Sequence, residues 1–207
     1  MAITYPLTLP SHTGLRSVNF RAVNTVSITQ SPFTYKEQVH AHSGQRWEAE
    51  VSLPSMRRAD AEVWVAFLLS LKGPVGTFLL GDPICKIARG SLGGTPLVNG
   101  ASQTGGSLNI DGCTANVTGW VKAGDYIQLG SGSNATLHKV LQDADSNGSG
   151  EVSLDLWPSI RSAPADNAAV TTSNAVGRFR LATGIQDWSI NNIALYGITF
   201  AAVEAIT

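Results

Sequence analysis

From Trp47 to Leu53 the apolar residues Trp47, Ala49, Val51 and Leu53 alternate without a break with Glu48, Glu50 and Ser52, and Arg46 precedes them. A period of two puts every apolar group on one side of an extended chain and every charge on the other, which no helix can do. Val18, Phe20 and Ala22 alternate in the same way with Asn19 and Arg21, and Val26 and Ile28 follow among polar neighbours. Two segments with one wet and one dry face predict half-buried antiparallel strands. The stretch between them, 30–44, contains Ser31-Pro32 and Ser43-Gly44 and is too long for a tight hairpin. It is read as an extended arm or a surface loop.

A single segment carries the helical period. Over 57–72, Trp64, Phe67, Leu68 and Leu71 fall at i, i+3, i+4 and i+7 and share one stripe. Ser55 is the candidate N-cap, Asp60 and Glu62 suit the positive end of the helix dipole, and Gly73-Pro74 supplies the stop. The aromatic stripe is a core face, so this helix is expected to close one edge or face of a sheet. A further strand is expected over 75–80, ended by Gly81-Asp82-Pro83.

From 89 to 174 Ser, Gly, Asn and Thr dominate, broken by the apolar pieces 108–110, 120–121, 126–129, 137–141 and 152–157. Short strands spaced by glycine-rich turns predict a small all-β, barrel-like module. Longer alternation returns in 179–181 and 188–203, where Trp188 and Ile190, then Tyr196, Ile198, Phe200 and Ala202, mark the apolar face. The chain is therefore expected to be mainly β, with residues 1–86 and 176–207 building one domain that holds the helix 57–72, and 87–175 inserted as an accessory β-domain. Loop tips tolerate such insertions because their two ends lie close together.

Composition narrows the function classes. Charged residues make up 14% of the 207, against roughly 25% in an ordinary soluble domain. With 14 basic and 15 acidic residues the net charge is −1, so no overall field gathers nucleic acid or an anionic membrane, and sequence-specific nucleic-acid binding is not expected. Cys85 and Cys113 lack zinc or redox spacing and are read as plain thiols. MAITYPLTLP has neither the basic start nor the apolar core of a secretory leader. The longest apolar run, 63–69, is far shorter than the roughly 20 residues that cross a bilayer. Folding in a cytoplasm without membrane insertion is the expectation.

Several local motifs invite chemistry. Asp143-Ala-Asp145-Ser-Asn147-Gly148 opens like a calcium loop, but its twelfth position is Leu154 and its flanks alternate like strands, so a hairpin connection is expected. His40-Ala-His42 sets two imidazoles on one side of an extended chain without an evident third ligand. His12 and His138 have no acid or nucleophile at an informative spacing. No nucleophile elbow, Walker loop, dinucleotide fingerprint or HExxH helix occurs. Gly130-Ser-Gly132 and Gly148-Ser-Gly150 fall between strands and present no helix N-terminus to a phosphate. A non-enzymatic chain with no metal and no cofactor is expected.

The order strand, arm, strand, helix, strand resembles the tail-tube fold of phage tube, distal-tail and hub proteins. Ser31-Pro32-Phe33-Thr34, then Gly44 through Pro54, then Arg58 through Gly73 and Gly76 through Pro83 resemble phage minor tail proteins over about a quarter of the chain. Pro96-Leu97-Val98-Asn99-Gly100 and Lys122 through Gly130 look like the accessory modules of distal-tail proteins, which are often lectin-like or oligosaccharide-binding-like.

The resemblance implies a tail-tube-like β-sandwich with one helix, and a virion structural subunit assembled in the bacterial cytoplasm. Such a subunit forms a ring, usually of six copies, joining the tail tube to the distal tip or baseplate complex and its hub proteins. Within it Phe33, Tyr35, His40 and His42 on the arm are candidate subunit-interface residues, the alternative being a surface loop. A second reading is an adhesin that binds host-surface carbohydrate, with Trp120, Tyr126 and Trp157 as candidate glycan contacts.

Overall fold

The structure, a computed structural model, describes residues 3–11 and 14–206. Its first sheet is built from β1 (Ser17–Gln30), β2 (Glu37–Ser52), β13 (Leu195–Glu204), β11 (Gly177–Leu181) and β4 (Phe78–Leu80), in that order and antiparallel throughout. β3 (Met56–Arg57) and β12 (Trp188–Ile190) pair with the first half of β13. The alternating residues Trp47, Ala49, Val51, Tyr196, Ile198, Phe200 and Ala202 all point into one core.

The helix α1 (Arg58–Ser70) covers that core. Trp64 meets Phe200 at 6.3 Å between ring centres, and Phe67 meets Phe78 edge-on at 5.7 Å. The helix begins later than Ser55 suggests: Met56 and Arg57 are held extended by pairing with Tyr196 and Leu195, so Arg57 sits at the N-cap with no side-chain cap. Lys72 adopts a left-handed conformation at the far end. Gly73 follows at φ +68°, where a Cβ would lie 3.0 Å from the Gly184 backbone. The strand expected over 75–80 starts only at Phe78, because Gly73–Val75 forms a 3-10 turn and the Gly76 N–H bonds the Leu71 carbonyl at 2.8 Å.

The second sheet contains β5 (Gly94–Val98), β6 (Gly105–Cys113), β7 (Tyr126–Leu129), β8 (Thr136–Val140), β9 (Val152–Ile160) and β10 (Val170–Thr171), in the order β10-β7-β8-β9-β6-β5. Its two ends meet: Val98 N–H donates to Ala168 O and Asn167 N–H to Val98 O, each at 2.9 Å. Closure removes the open edges an isolated sheet would present. Leu108, Ile110, Ile127, Val152, Leu154 and Leu156 fill the barrel. Trp120-Val121, expected as a strand, is a bend followed by a single bridge to Ala144, and the Trp120 indole drops into the same core. The fold is thus mainly β with one α-helix, and one of its two sheets is barrel-like.

Every strand of the barrel falls between β4 and β11, which are themselves neighbours with Leu80 opposite Gly177 and Phe78 opposite Phe179. The barrel packs back on the first sheet. Trp157 stands edge-on against Trp47 at 4.4 Å, and the Trp47 indole N–H donates to Leu137 O at 2.9 Å. Arg161 pairs with buried Glu204 at 3.1 Å, whose other carboxylate oxygen accepts the Trp47 N–H at 3.0 Å.

Candidate functional site

The first half of the β1–β2 hairpin lies on the core, and the second half leaves the molecule. Along β2 the dry face is buried as far as Trp47, and along β1 Val18 and Phe20 are half-buried while Ala22 and Asn24 are exposed. The Trp157 indole N–H donates to Asn24 Oδ1 at 2.7 Å, and Ser159 N–H donates to Gln45 Oε1 at 2.7 Å. Beyond that pair the ribbon is solvent-exposed on both faces as far as the turn. Of the two readings of 30–44, an extended arm or a surface loop, the structure has the arm: a β-ribbon in which Val39 and Ala41 continue the alternation opposite Ile28 and Val26.

Register decides which side chains share a face. Val26 lies opposite Ala41, Ile28 opposite Val39 and Gln30 opposite Glu37, all on the continuation of the core-facing side. Ser27 opposite His40 and Thr29 opposite Gln38 form the other side. At the break between Asn24 and Val26, β2 carries two more residues than β1, an even number, so the dry face does not flip. A Cβ at Gly44 would sit 2.6 Å from Thr25 Oγ1, which explains a glycine in this bulge.

The tip is closed by Ser31 N–H to Lys36 O at 3.0 Å and Tyr35 N–H to Ser31 O at 2.9 Å. Phe33 and Tyr35 crown it, 92% and 75% exposed, and Ile28 is 62% exposed below them. A two-stranded ribbon alone is marginal in water, and an apolar one with two free edges invites pairing. What this arrangement can do is dock.

The structure brings Phe33, Tyr35, His40 and His42 onto this one projecting element. His40 lies on the polar side opposite Ser27, and His42 falls in the bulge, where alternation is broken. Among the described residues no group of three or more His, Cys, Asp or Glu is placed to hold a metal. His12 lies outside the described residues.

Two of the three aromatic candidates for sugar stacking are buried, and the third, Trp157, is half-buried. Trp120 is fully buried with its N–H on Gly93 O at 3.1 Å. Tyr126 is buried beside Trp47, and its hydroxyl accepts Lys139 Nζ at 3.1 Å. Trp157 spends its ring on Trp47. Stacking on a sugar needs an open ring face, which burial removes for Trp120 and Tyr126.

The calcium-like run is a backbone clamp. Asp143 accepts Ala123 N–H at 2.8 Å and Lys122 Nζ at 2.9 Å, and these bonds hold its carboxyl below the usual range. Asn147 Oδ1 accepts the N–H groups of Ser149 and Glu151, each at 2.9 Å. These oxygens shape turns.

Other polar centres are equally committed. Asp125, buried, accepts the N–H groups of Arg89 at 2.9 Å, Gly90 at 3.2 Å and Lys122 at 2.9 Å, pinning the start of the barrel to its β7 turn. His138 Nδ1 faces Pro158 O at 2.7 Å and Nε2 faces the Thr136 hydroxyl at 2.9 Å, and burial lowers its pKa. That partner set assigns the proton to Nδ1, since a carbonyl only accepts. Both cysteines are free, and burial with help from Asp111 pushes the Cys113 thiol up to about 11. A cleft of about 380 Å³ between barrel and sheet is lined by His138, Arg161 and Arg178. Arg161 is spent on Glu204, and Arg178 donates to Ala205 O at 3.0 Å.

No family model matches the chain, and no curated protein is similar to it.

One surface escaped sequence reasoning. Trp188 and Ile190 alternate as read, but all three residues of β12 are exposed, and Ile185 and Ile193 stand open beside them. The available signal was isoleucine at two turn-like positions where polar residues are the norm.

Proposed function

We propose that this chain is a structural subunit of a tailed-bacteriophage tail tip, forming a ring, of six copies, that joins the tail tube to the distal tip or baseplate complex. The observation that carries the reading is the ribbon: an exposed β-element with one apolar face that contributes nothing to its own core and is suited to be covered by another chain. Its partners are further copies of itself, the tube protein and hub proteins, and its work is assembly rather than catalysis. Made and folded in the bacterial cytoplasm, it ends in the virion tail. The Ser31 to Pro83 resemblance supplies the phage context, and the ribbon supplies a physical reason for association. With Trp120 and Tyr126 buried and the Trp157 ring against Trp47, the carbohydrate-binding alternative has no observation of its own.

The native mass of the purified chain tests this directly. A six-copy particle by light scattering supports it. A chain that stays monomeric at high concentration and also fails to bind isolated tail tubes counts against it.

A further inference from the structure

The ribbon presents one apolar surface, and another lies at the opposite end of the sheet. Along β13, Thr199 pairs with Ser52 of β2, and Trp188 pairs with Ile198 one residue further out. Val39 lies more than ten residues along β2 in the other direction, roughly 35 Å away at ~3.3 Å per strand residue. The two surfaces therefore cannot meet within one copy. β12 pairs only with β13, which leaves its second edge open among the described residues, and Ile185, Trp188, Ile190 and Ile193 surround it.

We infer that the ribbon of one copy docks on the β12 surface of the next, a head-to-tail contact in which the Val26, Ile28 and Val39 face covers Ile185, Trp188, Ile190 and Ile193. This inference rests on the assembly reading above and names the receiving face. Val26, Ile28 and Val39 with Phe33 and Tyr35 at the tip present on the order of 600 Å² of apolar surface, and the four around β12 on the order of 450 Å². Together they reach the roughly 1,000 Å² that separates a specific interface from a chance contact, before backbone and polar groups are added.

Area also selects the second copy's β12 surface over a second ribbon. Ribbon on ribbon would satisfy one surface and leave four large apolar side chains in water at the other end. One heterologous contact covers both. Because the two faces differ, each copy donates a ribbon and receives one, so the contact repeats until rotation closes it, as a ring requires. The open β12 edge gives the incoming strand backbone partners as well as side chains.

Thiol cross-linking tests the inference in a Cys85→Ser chain, where the remaining Cys113 is buried. Ile28→Cys and Ile190→Cys are both at exposed positions, so neither disturbs the core, and circular dichroism checks that each variant is folded. With a short bis-maleimide, the double variant is expected to give a ladder of covalent multimers. A mixture of the two single variants stops at dimers joining residue 28 to residue 190, located by peptide mass spectrometry. Each single variant alone gives none. Cross-linked dimers from Ile28→Cys alone would mean ribbon on ribbon and overturn the inference while leaving the assembly function standing. Oligomers by light scattering with no 28-to-190 link in any arm overturn it in the same way. Monomers throughout, without links, overturn both.

Discussion

The two halves of the β1–β2 hairpin are written in the same code and meet different fates. Residues 47–51 and 18–20 alternate apolar with polar and lie on the core, whereas 26–28 and 39–41 alternate just as well and stand in water. Alternation is a statement about which side chains share a face. Whether anything covers that face is decided elsewhere in the chain, here by β9, whose Trp157 and Ser159 reach Asn24 and Gln45 and no further.

The contrast is sharpest when one large side chain is removed from the covered half. Trp47→Ala strips the edge-on contacts with Trp157 and Phe20 and the bond to Leu137, and is expected to cost about 4 kcal/mol in urea unfolding. A cost below 1 kcal/mol would mean that the two halves are not differently covered. Next comes the clamp behind it: Glu204→Ala leaves Arg161 without its carboxylate and the Trp47 N–H without an acceptor, a loss of about 3 kcal/mol by the same measurement.

The junction also titrates. The His138 folded pKa is lowered by burial, so protonation favours the unfolded chain. Its contribution is fully present above the ordinary imidazole value of 6.5 and is lost as pH falls toward and through the depressed folded value. Unfolding free energy should therefore decline between 6.5 and that depressed value by at most about 1.4 kcal/mol per pH unit from this group, and His138→Gln should flatten that part of the profile. Smallest of all is the open half. Ile28→Ala is expected to change the monomer's stability by less than about 0.5 kcal/mol. A larger loss would reveal cover on the ribbon within the monomer itself.

Much of this fold was legible. The Trp64, Phe67, Leu68 and Leu71 stripe and the Tyr196 to Ala202 alternation read correctly because each is a long run with one period and one buried face. The helix start was misplaced because Met56 and Arg57 are held by β13, nearly 140 residues later, and no local rule sees that pairing. The choice between arm and loop for 30–44 stayed open for a related reason: Glu37, Gln38, His40 and His42 suit a loop as well as a strand until their partners on β1 are known. Of the candidate site, Phe33 and Tyr35 were found because aromatic residues near a Ser-Pro turn are conspicuous. The β12 surface was missed because Trp188 and Ile190 carry the same alternation as a buried strand, and alternation does not record cover. Trp120 misled in the opposite sense, since a tryptophan among glycines looks presented but here fills the barrel.

Between β4 and β11 the chain travels about 100 residues and returns to the adjacent strand. In effect the barrel is the turn of a β-hairpin. Joining two strands across a flexible loop of that length would be slow, but a barrel that has already closed brings its own ends together and makes the pairing nearly local. The same barrel contributes Tyr126, Leu137 and Trp157 to the first core. Excising it would shorten the turn and uncover Trp47 in one stroke, so a chain cut down to its first sheet would gain in connectivity and lose its lid.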